Sequence, residues 1–319
     1  MPVTRRELLK VGAGAAAAAL AGTETAAAAA SASAAGRFDL AAPATQLIWK
    51  KALYDETVLQ SFAFDNTNGH IYLAQLKNGS GSAAAGDLCV TKLSLSGSVL
   101  GHMYLKGFGH GVQIGVEPSG GSAYLWTETD AVADGSGNAW GRRLARFKFV
   151  NGQTLTTSSS ALTKYTLISG ATSTTCAIDP STNRLIMRCR VDGQARFVAY
   201  SLAAVKAGTA TKLYDVAQPS GLGVFQGYTA YGDYLYLLDG TAYGTANPPP
   251  GNTYITCVDL RTGAKVQRSL SQAGKSLDYR EPEGMAIQIV SGRPRLCLGL
   301  ASGTAGARKA SIFYKSALI

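Results

Sequence analysis

One unit is written five times along this 319-residue chain: strand, tight turn, strand, loop, strand, turn, strand. Its first half reads QSFAFDNTNGHIYLAQL from Gln60, QIGVEPSGGSAYLWTE from Gln113 and TTCAIDPSTNRLIMR from Thr174. It returns as QGYTAYGDYLYLLDG from Gln226 and EGMAIQIVSGRPRLCLGL from Glu283. The turns at Asn68-Gly69, Gly120-Gly121, Thr182-Asn183, Gly232-Asp233 and Ser291-Gly292 recur roughly every 50 to 60 residues. The second halves also alternate apolar and polar residues, with Ser96-Gly97, Asn151-Gly152 and Thr262-Gly263 as hairpin turns. A four-stranded period of this length predicts an all-β fold, a five-bladed β-propeller. The last unit stops one strand short, while Leu47–Leu53 has strand character and no partner in its own unit. That segment is expected to complete the final blade and so remove its open edge.

The N-terminus reads as a targeting segment. Thr4-Arg5-Arg6-Glu7-Leu8-Leu9-Lys10 resembles a twin-arginine export motif, followed by an Ala-rich apolar stretch and a small-residue run with Ala-x-Ala cleavage options. The expected division is residues 1–35 as twin-arginine signal, 36–46 as flexible linker and 47–319 as propeller. The apolar stretch is too short and Ala-rich for a membrane anchor, and no later segment has the length and apolarity of a span. A secreted monomer, possessing some wall association, is the expectation. The formal charge is +10, and removal of the leader leaves about +9, spread singly over strands and loops. Such a diffuse field suits a plain soluble basic surface, the favoured reading, or attraction of anionic polymers such as acidic polysaccharide, teichoic acid or nucleic acid; of these a glycan, and no nucleic acid, is the expected partner.

Five cysteines, an odd number, exclude complete pairing. Cys176 and Cys189 fall on adjacent strands, where a bridge competes with buried free thiols, the favoured reading. There is no metal-ligand spacing, G-x-S-x-G, P-loop or dinucleotide fingerprint, so neither metal nor cofactor is expected. Asp65 and Asp179 occupy turn positions and are expected to shape those turns.

Aligned on their first turns, the units place Gln60, Gln113, Thr174, Gln226 and Glu283 in equivalent positions, a polar ring near one mouth of the channel. The loops leading into the inner strands carry His110 and Arg280. The loops joining second to third strands share that face, and the long ones, Lys77–Gly86, Thr127–Gly141 and Asp239–Asn252, are where binding residues are expected. Together they direct Trp126, Glu128, Arg188 and Tyr243 towards the mouth. Trp126, Tyr228 and Tyr243 offer flat surfaces for sugar rings; Arg280 and Arg188 offer guanidinium groups for carboxylate or phosphate; His110 offers a titrating imidazole. Each has a packing alternative: Trp126 between blades, Arg280 against Glu281 or Glu283, His110 on a loop carbonyl. Glu281 and Glu283 share a strand face at i, i+2, but the proline between them leaves a glycosidase pair weakly supported.

The residues His110–Glu117 (HGVQIGVE), Tyr124–Glu128 (YLWTE), Arg143–Phe149 (RLARFKF), Phe225–Gly227, Tyr234–Gly240 (YLYLLDG) and Arg280–Ala286 (REPEGMA) carry a resemblance. The chain resembles the teichoic-acid-biosynthesis-protein-C-like and phage receptor-binding β-propellers from about Thr57 to the C-terminus. The resemblance implies a cell-surface glycan or teichoic-acid setting; the leader departs from a phage tail protein, since it marks export by the chain's own cell. The expected function is binding of an anionic cell-wall or extracellular glycan at the mouth, with Gln60, Gln113, Gln226, Glu283, Trp126, Glu128 and Arg188 as contacts. The alternative is a polysaccharide lyase using His110 as base, Arg280 as charge stabiliser and Tyr228 or Tyr243 as proton donor.

Overall fold

A computed structural model describes residues 36–79 and 81–319; the segment expected as a twin-arginine signal lies outside the described residues. The five repeats form five antiparallel sheets around one channel. Inner to outer, blade one runs Leu59–Asp65, His70–Leu76, Leu88–Ser94 and Val99–Lys106. Blade two runs Gly115–Ser119, Ser122–Thr129, Arg143–Lys148 and Thr163–Tyr165. Blade three runs Thr172–Asp179, Arg184–Val191, Gln194–Ser201 and Tyr214–Ala217. Blade four runs Phe225–Tyr231, Tyr234–Asp239, Tyr254–Asp259 and Lys265–Leu270.

Blade five contains Glu281–Val290, Arg293–Ser302 and Lys309–Lys315, and its outer strand is the N-terminal Thr45–Lys51. That strand pairs antiparallel with Lys309–Lys315, Thr45 opposite Tyr314 and Ile48 opposite Ile312. The expected closure is therefore present, and it supplies the last blade's outer edge from the far end of the sequence.

The stretch expected as a linker is docked. Phe38 is fully buried, edge-on to Tyr236, whose hydroxyl accepts the Phe38 N–H at 2.9 Å. Arg37 and Ile319 exchange backbone hydrogen bonds at 3.0 and 2.9 Å. Two buried apolar residues, Phe38 and Leu40, give this short stretch enough area to hold against blades four and five. Blade two also departs from the expected hairpin. After the Asn151-Gly152 turn, Thr154–Thr156 pairs in parallel with blade one, and Thr163–Tyr165 completes blade two. The turn itself is drawn across: the His102 N–H donates to Asn151 Oδ1 at 2.9 Å, and Gly152 N–H to the His102 carbonyl at 2.7 Å.

Apolar side chains pack between neighbouring blades, so the core comprises five clusters. Blades one and two share Tyr72, Val90, Phe108, Leu125 and Phe147; blades five and one share Phe62, Ile71, Leu73, Cys297 and Ile312. Turn residues tie the far face together. The Asp179 carboxylate accepts from Ser181 and Thr182 in its own turn and from the Gly232 N–H of blade four at 3.0 Å. All five cysteines are free and buried; Cys176 lies opposite Met187 and Cys189 opposite Arg196, and burial pushes both thiols up.

Candidate functional site

Four of the five inner strands lose register near the same end: between Leu59 and Ser61, Thr172 and Thr175, Phe225 and Gly227, and Pro282 and Met285. The residues passed over include Gln60, Thr174, Gln226 and Glu283, members of the polar column. A β-bulge re-aims side chains, and here it marks where this column meets the channel. Gly284, at φ +73°, lies so close to blade one that a Cβ there would stand 2.6 Å from Ser61 Cα. Only glycine permits the inner backbones to approach this far.

Gln60, His110, Gln226 and Glu283 line one cavity of about 450 Å³, with Glu56, Asn78, Glu281 and Arg308. Gln60 is 7% exposed and Glu283 5%, yet among the described residues neither side chain has a hydrogen-bond partner. Gln226 donates to the Gly240 carbonyl at 3.1 Å. Burial, reinforced by Glu281, raises the Glu283 carboxyl well above the usual range.

His110 is held by Glu128. This fully buried carboxyl accepts the backbone N–H groups of His110 at 2.9 Å, Gly111 at 2.7 Å and Gly141 at 2.6 Å. Burial raises Glu128 to about 7 against the pull of those three donors. Glu128 fills the space beside Gly109, where a Cβ would fall 2.1 Å from its carboxyl carbon. It is therefore a loop clamp and does not face a ligand. The His110 ring stacks on Trp140 at 4.7 Å, and Trp140 Nε1 donates to Asp134 at 2.8 Å. His110 Nδ1 is buried without a partner, and burial lowers the imidazole to about 4, so it is neutral at neutral pH.

Several expected contacts belong to the scaffold instead. Gln113 lies across the channel, donating to the Met285 carbonyl at 3.1 Å and accepting the Tyr228 N–H at 3.3 Å. It lines a second cavity, of about 480 Å³, with Asn66, Asn183, Lys206 and Ile287. Trp126 is fully buried between blades, with Nε1 donating to Glu117 at 3.0 Å and its ring on Tyr165. The buried Tyr228 hydroxyl donates to the Ile186 carbonyl at 3.1 Å and accepts the Arg188 N–H at 3.0 Å. Arg188 spends Nε and Nη2 on Gln218 and lies over Phe225. Arg280 is fully buried; its guanidinium donates to the carbonyls of Ala273, Pro250 and Ser271 and to Thr253 Oγ1, with Tyr243 alongside. The half-buried Tyr243 directs its hydroxyl at the Pro250 and Lys275 carbonyls. The base, cation and phenol required for a lyase thus do not meet at the mouth.

The guanidinium at the cavity is Arg308, which the sequence reading passed over. It comes from the short loop joining the second and third strands of blade five, donates to the Gly303 carbonyl and lies 3.4 Å from the Tyr279 ring centre. The rule that placed the long loops at this face applies equally to this short one. Glu281 and Glu283 do share the cavity, across the bulge that follows Pro282.

Comparison with known proteins agrees with this architecture. The chain is 29% identical over 288 residues to "Putative major teichoic acid biosynthesis protein C" of Bacillus subtilis (strain 168), covering 86% of this chain and 63% of that protein. The solved tail fiber of Staphylococcus aureus phage P68 is similar with a TM-score of 0.68 and 24% identity, over 86% of this chain and 52% of that one. The chain thus spans between half and two thirds of these relatives. Residues 58–314, all five blades but the closing strand, match the family described as the phage 5-bladed beta propeller receptor binding platform domain, and the chain belongs to that family.

Proposed function

We propose that this protein is an exported propeller that binds a cell-wall or extracellular glycan at the mouth cavity. One observation carries the reading: Gln60 and Glu283, though largely buried, line an open cavity without a protein hydrogen-bond partner among the described residues, which leaves their polar groups available to a ligand. Sugar hydroxyls donate and accept, so they complement an amide, a carboxyl and a neutral imidazole. The cavity falls within the volume range of small-ligand sites, sufficient for one or two glycosyl units of a longer polymer. The net positive charge, which survives removal of the expected leader, draws anionic polymers to the surface at long range, while the mouth reads hydroxyls. The relative named for teichoic acid biosynthesis and the tail fiber fit a wall polymer as ligand.

Calorimetric titration against teichoic acids, uronic polysaccharides and neutral oligosaccharides tests this reading. Binding to at least one class is expected, weakened by Gln60→Ala with the fold intact. Failure of the folded protein to bind any of them would contradict it.

A further inference from the structure

The mouth is charged against the trend of the chain. On a protein of formal charge +10, its lining carries three carboxyls, Glu56, Glu281 and Glu283, and one guanidinium, Arg308. Arg308 forms no ion pair among the described residues; it is engaged by the Gly303 carbonyl and the face of Tyr279. A ligand phosphate or carboxylate seated at the cavity floor would meet the unpartnered Glu283 and its neighbour Glu281. A hydroxyl would satisfy Glu283 only in part. An ammonium brings positive charge and three N–H donors, and charge-assisted hydrogen bonds are the strong ones. The Gln60 carbonyl oxygen and the neutral His110 add uncharged acceptor capacity beside it.

Resting on the glycan reading above, we propose that the mouth selects a glycosyl or polyol unit bearing a primary ammonium group. Glu283 and Gln60 receive the N–H donors, and Gln226 and Asn78 meet the hydroxyls. The ligand polymer is then mixed in charge: its anionic portions are attracted by the diffuse positive surface, and its cationic substituent is read at the mouth. Burial and Glu281 raise the Glu283 carboxyl above the usual range, and a seated ammonium opposes that shift by favouring the ionised form. The other titratable or charged groups facing this position are Glu56, Glu281, His110, Arg308 and Tyr279. Of these, burial lowers the His110 imidazole to about 4 and raises the Tyr279 phenol to about 12.

Three β-1,4-linked tetrasaccharides that differ only at C2, built from glucosamine, N-acetylglucosamine and glucose, separate the possibilities. Titrated calorimetrically at pH 6, the glucosamine tetramer should bind about tenfold more tightly than the others. Glu283→Gln, nearly isosteric with the neutral carboxyl, should bring glucosamine affinity down to that for glucose; Glu281→Gln should produce a smaller loss. Equal affinity for all three would overturn the ammonium assignment while leaving the glycan site standing, as would tighter binding of a galacturonate tetramer. Absence of binding by every one of these sugars and by the teichoic acids would overturn both.

Discussion

Two groups of buried polar side chains divide this molecule. At the blade boundaries, Arg280, Glu128, Gln113 and Tyr228 spend their hydrogen-bonding capacity on carbonyls and N–H groups of neighbouring loops and strands. At the mouth, Gln60 and Glu283 are nearly as buried yet unpartnered. Burial alone does not separate the two groups; what each side chain faces does. A polar group bonded to neighbouring backbone fixes the position of what it touches, whereas one that faces a cavity without a protein partner is free to bond a ligand.

The largest effect should come from the satisfied group. Arg280→Met removes donors from three carbonyls and a hydroxyl where blade four meets blade five. It should destabilise the protein by about 3 kcal/mol in chemical denaturation. Glu128→Ala should cost about 2 kcal/mol, because three N–H groups of two loops lose their acceptor. Glu128 also sets a pH dependence. Its folded-state value is raised to about 7, so its contribution is fully present below the ordinary 4.5 and is lost as pH rises through 7. Glu128→Gln should flatten that part of the stability profile.

A mouth substitution should behave differently. Gln60→Ala breaks no protein hydrogen bond and should change stability by no more than about 1 kcal/mol, while weakening glycan binding several-fold. If its stability loss equals that of Arg280→Met, the division between the two groups fails. The smallest signal is the His110 titration, followed by NMR, with a midpoint near 4. Since the folded-state value is depressed, this residue's contribution is present above the ordinary 6.5 and is lost as pH falls towards 4. A midpoint near 6.5 would place the ring in solvent instead of against Trp140.

The repeat made the blades and their closure readable before any coordinates, because turn chemistry and strand alternation are local properties. It also made the mouth column readable, since equivalent positions in equivalent blades share a level. What stayed illegible was direction at single-residue resolution. Trp126 and Glu128 lie on one strand two residues apart, and their roles depend on which blade boundary or loop backbone meets them. Arg280 stands one residue before Glu281, yet it turns into the blade-four boundary while Glu281 lines the cavity. Bulges, which re-aim Gln60, Gln226 and Glu283, leave no mark in an apolar–polar pattern. Docking of Phe38 was missed because two apolar residues beside an Ala-rich stretch carry no periodicity.

Gln60 and Gln113 bring the account to its most direct test. Both are buried glutamines from equivalent repeat positions, but Gln113 bridges three blades while Gln60 faces the cavity unpartnered. Alanine variants of each, measured for unfolding free energy and for titration with a glycan the parent protein binds, decide the matter. Gln113→Ala should lose stability, and Gln60→Ala should lose affinity at nearly unchanged stability. Undiminished affinity in Gln60→Ala would contradict it.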